Sequence, residues 1–359
     1  MDKADLFDRI QHGIPIMNED LSSWDLSGAD LSGGIFDSVR FGMLKGALVR
    51  ECSFTRSDLR ECDFSEADLH LTVMHRCELD EARFDRAKLI GTKMIECVAE
   101  GASFQDLDGP LVTFIKTSLS RARFDRANLD RGNLIEVECD GASFAGANLI
   151  KVMMSQSDLR TADIGGANLT LTTLTESKLG AKSFKGVTVF RTQFMSCDLV
   201  GASFEGVDCT QCNFFKADLS ESTFEKAEAL TAYFGEAHLS RANFKGGNFR
   251  QAVFEKATAS KTDFSGSVFE ECSMGDIVAP GARFVNANVR YADFSRADLS
   301  GADFTGASLF RAKMHRAKRD GATIPRGTGW LGDDEELAKI EDWKPKHGEI
   351  EAGGGEGGD

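Results

Sequence analysis

From Phe54 to Met314 every fifth residue is apolar: Phe54, Leu59, Phe64, Leu69, Met74, Leu79, Phe84, and so on to Phe304, Leu309 and Met314. Across these 53 positions only Gly109 is not Phe, Leu, Met, Ile, Val, Ala or Cys. Two residues before each centre stands a small or β-branched residue in almost every case, as at Cys52, Ser57, Cys62, Ala67 and Thr72. A helix repeats its apolar face at about 3.6 residues and a strand at about two, so this period belongs to neither and marks a repeat architecture.

A longer period lies inside the first. Every fourth centre gives Phe64, Phe84, Phe104, Phe124, Phe144, Ile164, Phe184, Phe204 and onward to Phe304, a column of rings interrupted once. The column five residues earlier (Leu59, Leu79, Ala99, Leu119, Cys139) contains no Phe. Side-chain size that repeats every twenty residues places those residues above one another. The chain therefore winds as a four-sided coil, one pentapeptide per side, whose columns of like residues fill a narrow interior.

Ala67-Asp68-Leu69, Ala127-Asn128-Leu129, Ala147-Asn148-Leu149, Ala167-Asn168-Leu169, Ala217-Asp218-Leu219 and Ala297-Asp298-Leu299 resemble the pentapeptide-repeat family, whose unit is a small residue, Asp or Asn, Leu or Phe, then two polar residues. The resemblance runs from about residue 19 to 324. It implies an all-β fold, a right-handed quadrilateral β-helix, here with short helical caps at the ends. Thirteen coils at ~4.8 Å spacing predict a rod roughly 60 Å long.

The expected organisation is a capping segment over 1–18, the β-helix over 19–324, a C-terminal cap with a short helix over 325–348, and a disordered acidic, Gly-rich tail over 349–359. Asp2 to Gln11 reads as a short amphipathic helix ended by Gly13 and Pro15, covering the first coil. The first centres (Leu21, Leu26, Leu31, Phe36, Phe41) reach Leu44 only by losing two residues, which predicts an irregular corner. Gly109-Pro110 and Pro280 keep register and predict local bulges. Lys182 stands in the inward small-residue column, where its stem is expected to snorkel outward. Leu337, Ile340 and Trp343 are expected to close the last coil.

All nine cysteines fall on inward positions, which reads as reduced core filler in a reducing compartment. Cys209-x-x-Cys212 has no second pair and the six histidines are scattered, so no metal and no cofactor is expected. No apolar run follows a basic N-terminal segment, and neither a signal peptide nor a membrane span is expected; a cytoplasmic protein is the default. No nucleophile–base pairing or phosphate loop stands out, so the chain does not read as an enzyme.

The resemblance also implies a known family role, mimicry of duplex DNA by an acidic β-helix that binds DNA gyrase. The net charge of −15 points that way. Its distribution points elsewhere: residues 333–359 carry ten acids and three bases, residues 1–20 five and two, leaving −5 over 21–332. A DNA mimic needs a dense negative surface. Gyrase or another topoisomerase therefore stands as the alternative partner, and nucleic acid itself is not expected. The opening, a short helix and Gly-x-Pro before Leu-rich repeats, is also similar to pentapeptide-repeat accessory proteins of bacterial type VI secretion spikes.

Outward residues differ by side. On the sides of the Phe column and of the Leu/Ala column they are nearly all polar. On the other two, Ile90, Ile95, Ile115, Ile135, Ile150, Phe190, Met195, Phe215, Leu230 and Phe310 follow the centres. Leu71, Val73, Leu111, Met153, Leu171, Tyr233, Val253 and Tyr291 stand just before or two after them. These sides share an edge, so the residues are expected to merge into an apolar stripe, a candidate surface for a protein partner or a second copy.

Overall fold

In a computed structural model, which describes residues 1–343, the chain winds as a parallel, four-sided solenoid in which residue i pairs with residue i+20. Side 1 holds the centres Phe54, Met74 and Met94, side 2 Leu59 and Leu79, side 3 the Phe column from Phe64, and side 4 Leu69 and Leu89. After α1 (Lys3–Gln11) come β1 (Ile16–Met17), β2 (Asp20–Asp25), β3 (Ile35–Asp37) and β4 (Arg40–Met43). On side 1, three-residue strands then recur from β5 (Ser53–Thr55) to β11 (Thr173–Thr175). The remaining sides are joined by single parallel bridges such as Asp58↔Glu78 and Asp63↔Arg83.

The five-residue unit follows from where its five amides go. The centre donates to the next coil (Phe64 N to Arg83 O, 2.7 Å) and the residue before it donates to the previous one (Arg83 N to Cys62 O, 3.0 Å). The small inward residue closes the turn onto the preceding centre (Ala67 N to Phe64 O, 3.0 Å), and the corner residue again reaches the next coil (Glu61 N to Asp80 O, 2.9 Å). Outside the side 1 strands, only the amide just after the centre lacks a place in the ladder. An Asp or Asn two residues earlier accepts from it, as Asp63 does from Ser65 (2.9 Å) and Asp298 from Ser300 (3.1 Å). Pro110 and Pro280 occupy that slot, where no amide is required, and the ladder runs past them through Gly109 N to Asn128 O and Ala279 N to Asp298 O (both 2.8 Å). The bulges expected there are therefore absent.

Each corner turns through the left-handed region. From Glu51 to Arg316 every corner except Thr161 has positive φ, and the non-glycine ones lie between 48° and 63°. Such backbone is costly for L-residues, and the ladder rungs of each side, the corner's own among them, offset it.

Inside, the rings of Phe64, Phe84, Phe104, Phe124 and Phe144 stack at 4.6–5.0 Å and within 5° of parallel. From Phe194 onward side 1 supplies a second column at right angles, as Phe204 and Phe214 show (5.4 Å, 83°). Most polar residues in the inward small slot are satisfied by a carbonyl 23 residues back, and Ser57, Ser157, Ser177 and Ser222 by one two or three residues back. Thr92 donates to Leu69 O and Thr192 to Leu169 O (both 2.7 Å), and the Cys272 thiol donates to Phe249 O (2.8 Å). That bond is why Ser, Thr and Cys substitute freely for Ala there.

Regularity lapses between Cys139 and Asp208. Cys139 and Asp158 lose their close ladder hydrogen bonds although the bridge Glu138↔Asp158 remains; Ile164 and Ser183 make no rung, and neither do Val189 and Asp208, where the corner bond of Arg191 N to Thr210 O (3.1 Å) persists. Thr161 instead gives its hydroxyl to Asp140 (2.6 Å) and accepts from Gly141 N (2.9 Å). Lys182 reaches the surface only in part. It is half-buried and its ammonium donates to the carbonyl of Ala162, a group the ladder leaves free. Where Ile164 interrupts the rings, a void of about 10 Å³ opens among Phe144, Met154, Leu159, Ile164, Leu174 and Leu179.

At the N-terminus α1 is capped by the Asp2 carboxylate and buries Leu6 completely, with Phe7 and Ile10 packed on the core. The two missing residues fall in the second coil: Leu21 pairs with Phe41, but Asp25 with Met43. There the chains approach so closely that a Cβ on Gly42 would lie 2.3 Å from the Ser22 carbonyl oxygen. At the other end Leu331 pairs with Lys313 along side 1. Helix α2 (Glu335–Glu341) buries no side chain; Ile340 and Trp343 are 71% and 72% exposed. Leu337, Ile340 and Trp343 therefore do not close the last coil. Instead α2 is tied to the rod by polar contacts to the buried His315, which accepts from Asp334 N (3.1 Å) and meets Glu341 (3.2 Å), and to Arg316 and Arg296.

Candidate protein-binding edge

Sides 1 and 4 meet at a corner column that includes Leu71, Leu111, Arg131, Lys151, Leu171, Arg191, Tyr291 and Arg311. The unit geometry holds these side chains outward, because the inward directions are taken by the centre and the small residue. None of the residues expected in the stripe is buried. Leu71 and Leu111 are 50% and 53% exposed, and Met153, Leu171, Phe190, Leu230, Tyr233, Tyr291 and Phe310 are also exposed. Val73, Ile90, Ile95, Ile115, Ile135, Ile150, Met195, Phe215 and Val253 are half-buried among neighbours on the same surface.

The structure gathers them into clusters rather than one unbroken line. Ile95, Ile115 and Ile135 stack on consecutive coils. Phe215 lies 5.9 Å from Tyr233, which pairs in turn with Val253. Tyr291 and Phe310 meet edge to face at 5.7 Å. Leu171, Phe190 and Met195 carry the apolar surface past Thr173, Thr175 and Gln193, whereas Glu255, Glu270 and Glu271 separate Val253 from Tyr291 and Phe310. On sides 2 and 3 the exposed large apolar residues are Val98, Val200 and Val278, with Met43 in the irregular second coil.

Two features escaped the sequence reading. Met17 and Ile35 extend side 1 to the first coils, since Ile16, Phe36 and Phe54 pair in line. The two-residue loss hid them, and counting back eighteen from Phe54 would have found them. Cations also lie over the exposed rings: Lys216 over Phe215 (5.0 Å), Arg191 over Phe190 (6.0 Å), and Arg290 over both Phe310 (5.4 Å) and Tyr291 (5.9 Å).

All nine cysteines are free and buried, Cys209 and Cys212 among them. Burial pushes the thiols of Cys52, Cys139 and Cys197 up to about 12. Among the described residues no group of three or more His, Cys, Asp or Glu is placed to hold a metal, and no helix is long and apolar enough to cross a membrane.

A profile of the pentapeptide repeats matches in eight copies, over residues 44–76, 138–176, 192–228, 232–274 and 281–317. The chain belongs to the pentapeptide-repeat family. Among solved structures it is similar to QnrB1, a plasmid-mediated fluoroquinolone resistance protein, at 27% identity over 52% of this chain and 88% of that one (TM-score 0.39). It is similar also to HetL, involved in heterocyst differentiation regulation in the cyanobacterium Nostoc, at 20% identity over 91% and 98% of the two chains (TM-score 0.19). A third is the pentapeptide-repeat protein Rfr23 of the cyanobacterium Cyanothece, at 23% identity over 30% and 64% (TM-score 0.21). No curated protein matches.

Proposed function

We propose that this pentapeptide-repeat protein is a non-catalytic scaffold, a rigid rod whose apolar edge between sides 1 and 4 binds a protein partner. The observation that carries this reading is the asymmetry of the surface: exposed rings and aliphatic groups crowd one edge and nearly vanish from the opposite two sides. Exposed apolar clusters of this kind mark interfaces more often than chance. The nine buried thiols fit a reducing, cytoplasmic setting, and an accessory role in a bacterial secretion apparatus is one context for such a rod. Asp substitutions at Ile115, Ile135, Phe190 and Phe215 are expected to abolish a pulled-down complex while leaving the circular dichroism spectrum unchanged. Threonine already fills the slot of Ile115 at Thr55 and Thr175, so a polar residue fits the fold there.

One observation favours a second reading, a DNA-mimicking inhibitor or protector of gyrase or another topoisomerase. Between Ser53 and Gly321 the outward positions of sides 2 and 3 hold 24 acids against 15 bases, whereas sides 1 and 4 hold 14 against 16. Much of that acid is neutralised along the rod by residues one coil away, as in Arg126–Asp106 (2.7 Å) and Arg83–Asp63 (2.6 Å). A supercoiling assay separates the readings: the scaffold reading expects no inhibition of gyrase at stoichiometric excess.

A further inference from the structure

The scaffold reading leaves the chemistry of the partner open, and the charges of the edge constrain it. The two outward columns that follow the side 4 centres, from His70 to Arg311, carry six bases: Arg131, Lys151, Arg191, Arg250, Arg290 and Arg311. They carry three acids, Asp130, Glu270 and Glu271, within a chain of net charge −15. All three acids are consumed locally: Asp130 pairs with Arg131 (3.6 Å), and Glu270 and Glu271 pair with Arg250 (3.9 and 3.6 Å). Among the described residues this leaves Lys151, Arg191, Arg290 and Arg311 without a carboxylate partner. All four are exposed, and they stand beside the largest apolar residues of the edge, Leu171 and Phe190 at one place, Tyr291 and Phe310 at the other. Elsewhere on the rod most corner cations are paired one coil away, as Arg76 is with Glu96 (2.7 Å) and Arg241 with Glu221; Lys256 and Lys261 are exceptions, and neither stands beside an exposed ring.

We propose that the edge takes a protein surface of apolar side chains flanked by carboxylates, such as an acidic amphipathic helix. This rests on the scaffold reading and adds the sign of the partner's charge. The four cations supply the ion pairs that the rod itself withholds from them, and the rings supply the apolar contact. Carboxylates arriving beside a ring-stacked guanidinium meet a charge already held in place, so less side-chain freedom is lost on binding.

The test uses the full chain and fluorescence anisotropy with two labelled amphipathic peptides of identical leucine spacing, one Glu-rich and one Lys-rich. A labelled single-stranded oligonucleotide and sedimentation of the protein alone complete the set. The Glu-rich peptide is expected to bind about tenfold more tightly than the Lys-rich one, with a preference that shrinks as salt is raised. A triple variant, Arg191→Glu, Arg290→Glu and Arg311→Glu, is expected to erase that preference at an unchanged circular dichroism spectrum. Glutamate is tolerated at the two corner positions, as Glu51, Glu61 and Glu271 show at the same positive φ. Equal or tighter binding of the Lys-rich peptide, preference for the oligonucleotide, or self-association that survives the triple substitution overturns the inference alone. If no probe and no second copy binds, and Phe190→Asp changes nothing, the scaffold reading falls with it.

Discussion

Between Phe64 and Phe304, Ile164 is the one member of the side 3 column without a ring, and the void beside it is lined only by apolar groups. Ile164→Phe restores the stack between Phe144 and Phe184 and is expected to raise stability by about 0.5–1 kcal/mol in thermal denaturation; a fall would show that the coil cannot widen to take the ring. Lys182 stands one coil later in a slot that alanine fills elsewhere. Burial holds its ammonium below the ordinary lysine value. A lysine depressed in the fold binds fewer protons folded than unfolded just below that ordinary value. Stability therefore rises with pH as the folded group loses its proton, up to the unfolded value. Lys182→Ala is expected to remove that alkaline rise and to raise the melting temperature at neutral pH. At residue scale the inward columns were legible in the sequence, because only two positions in five are excluded from water. The direction of the Lys182 ammonium was not, since it depends on which carbonyl the distorted ladder leaves unpaired.

The element here is the coil, and its rungs are unevenly distributed. Backbone amides of the coils between Cys139 and Asp208 are expected to exchange with deuterium first among the interior repeats, because three sides in succession have lost some or all of their close rungs. Exchange no faster than at Phe204 to Phe284 would contradict this. At the N-terminal end Gly42→Ala is expected to cost about 1–3 kcal/mol, because its new methyl group meets the Ser22 carbonyl rather than a movable side chain. Helix α2 presents the opposite case. It buries no apolar side chain, so its docking depends on His315, Arg316 and Arg296. His315→Ala is expected to release its amides to exchange while the solenoid's own protection stays intact. The helix itself was readable from its acidic start and apolar spacing. Its failure to cover the last coil was not, because a buried imidazole on a neighbouring coil fixes its position.

The whole rod is held by many small carboxylate turns. Hydroxyls and amides of Ser22, Ser27, Ser300 and Thr305 hold Asp20, Asp25, Asp298 and Asp303 below the usual carboxylate range. Carboxylates depressed in the fold contribute stability that is present above their ordinary value and lost as pH falls through the folded value. The melting temperature is therefore expected to hold from neutral pH to about pH 5 and to fall below about pH 4. The same scale governs the proposed binding edge, since charge segregates by side: sides 2 and 3 are acidic, sides 1 and 4 close to neutral.

By itself the sequence determined the coil, its four columns, and which residues face inward, because a twenty-residue period forces like residues into contact with like. It also placed the apolar residues on two neighbouring sides. Packing between coils settles how those residues group, which cations stand over their rings and, among the described residues, which of those cations keep no carboxylate. Pairing of that kind is set by side-chain reach between coils at a spacing of ~4.8 Å, and reach depends on corner geometry that the repeat period does not encode.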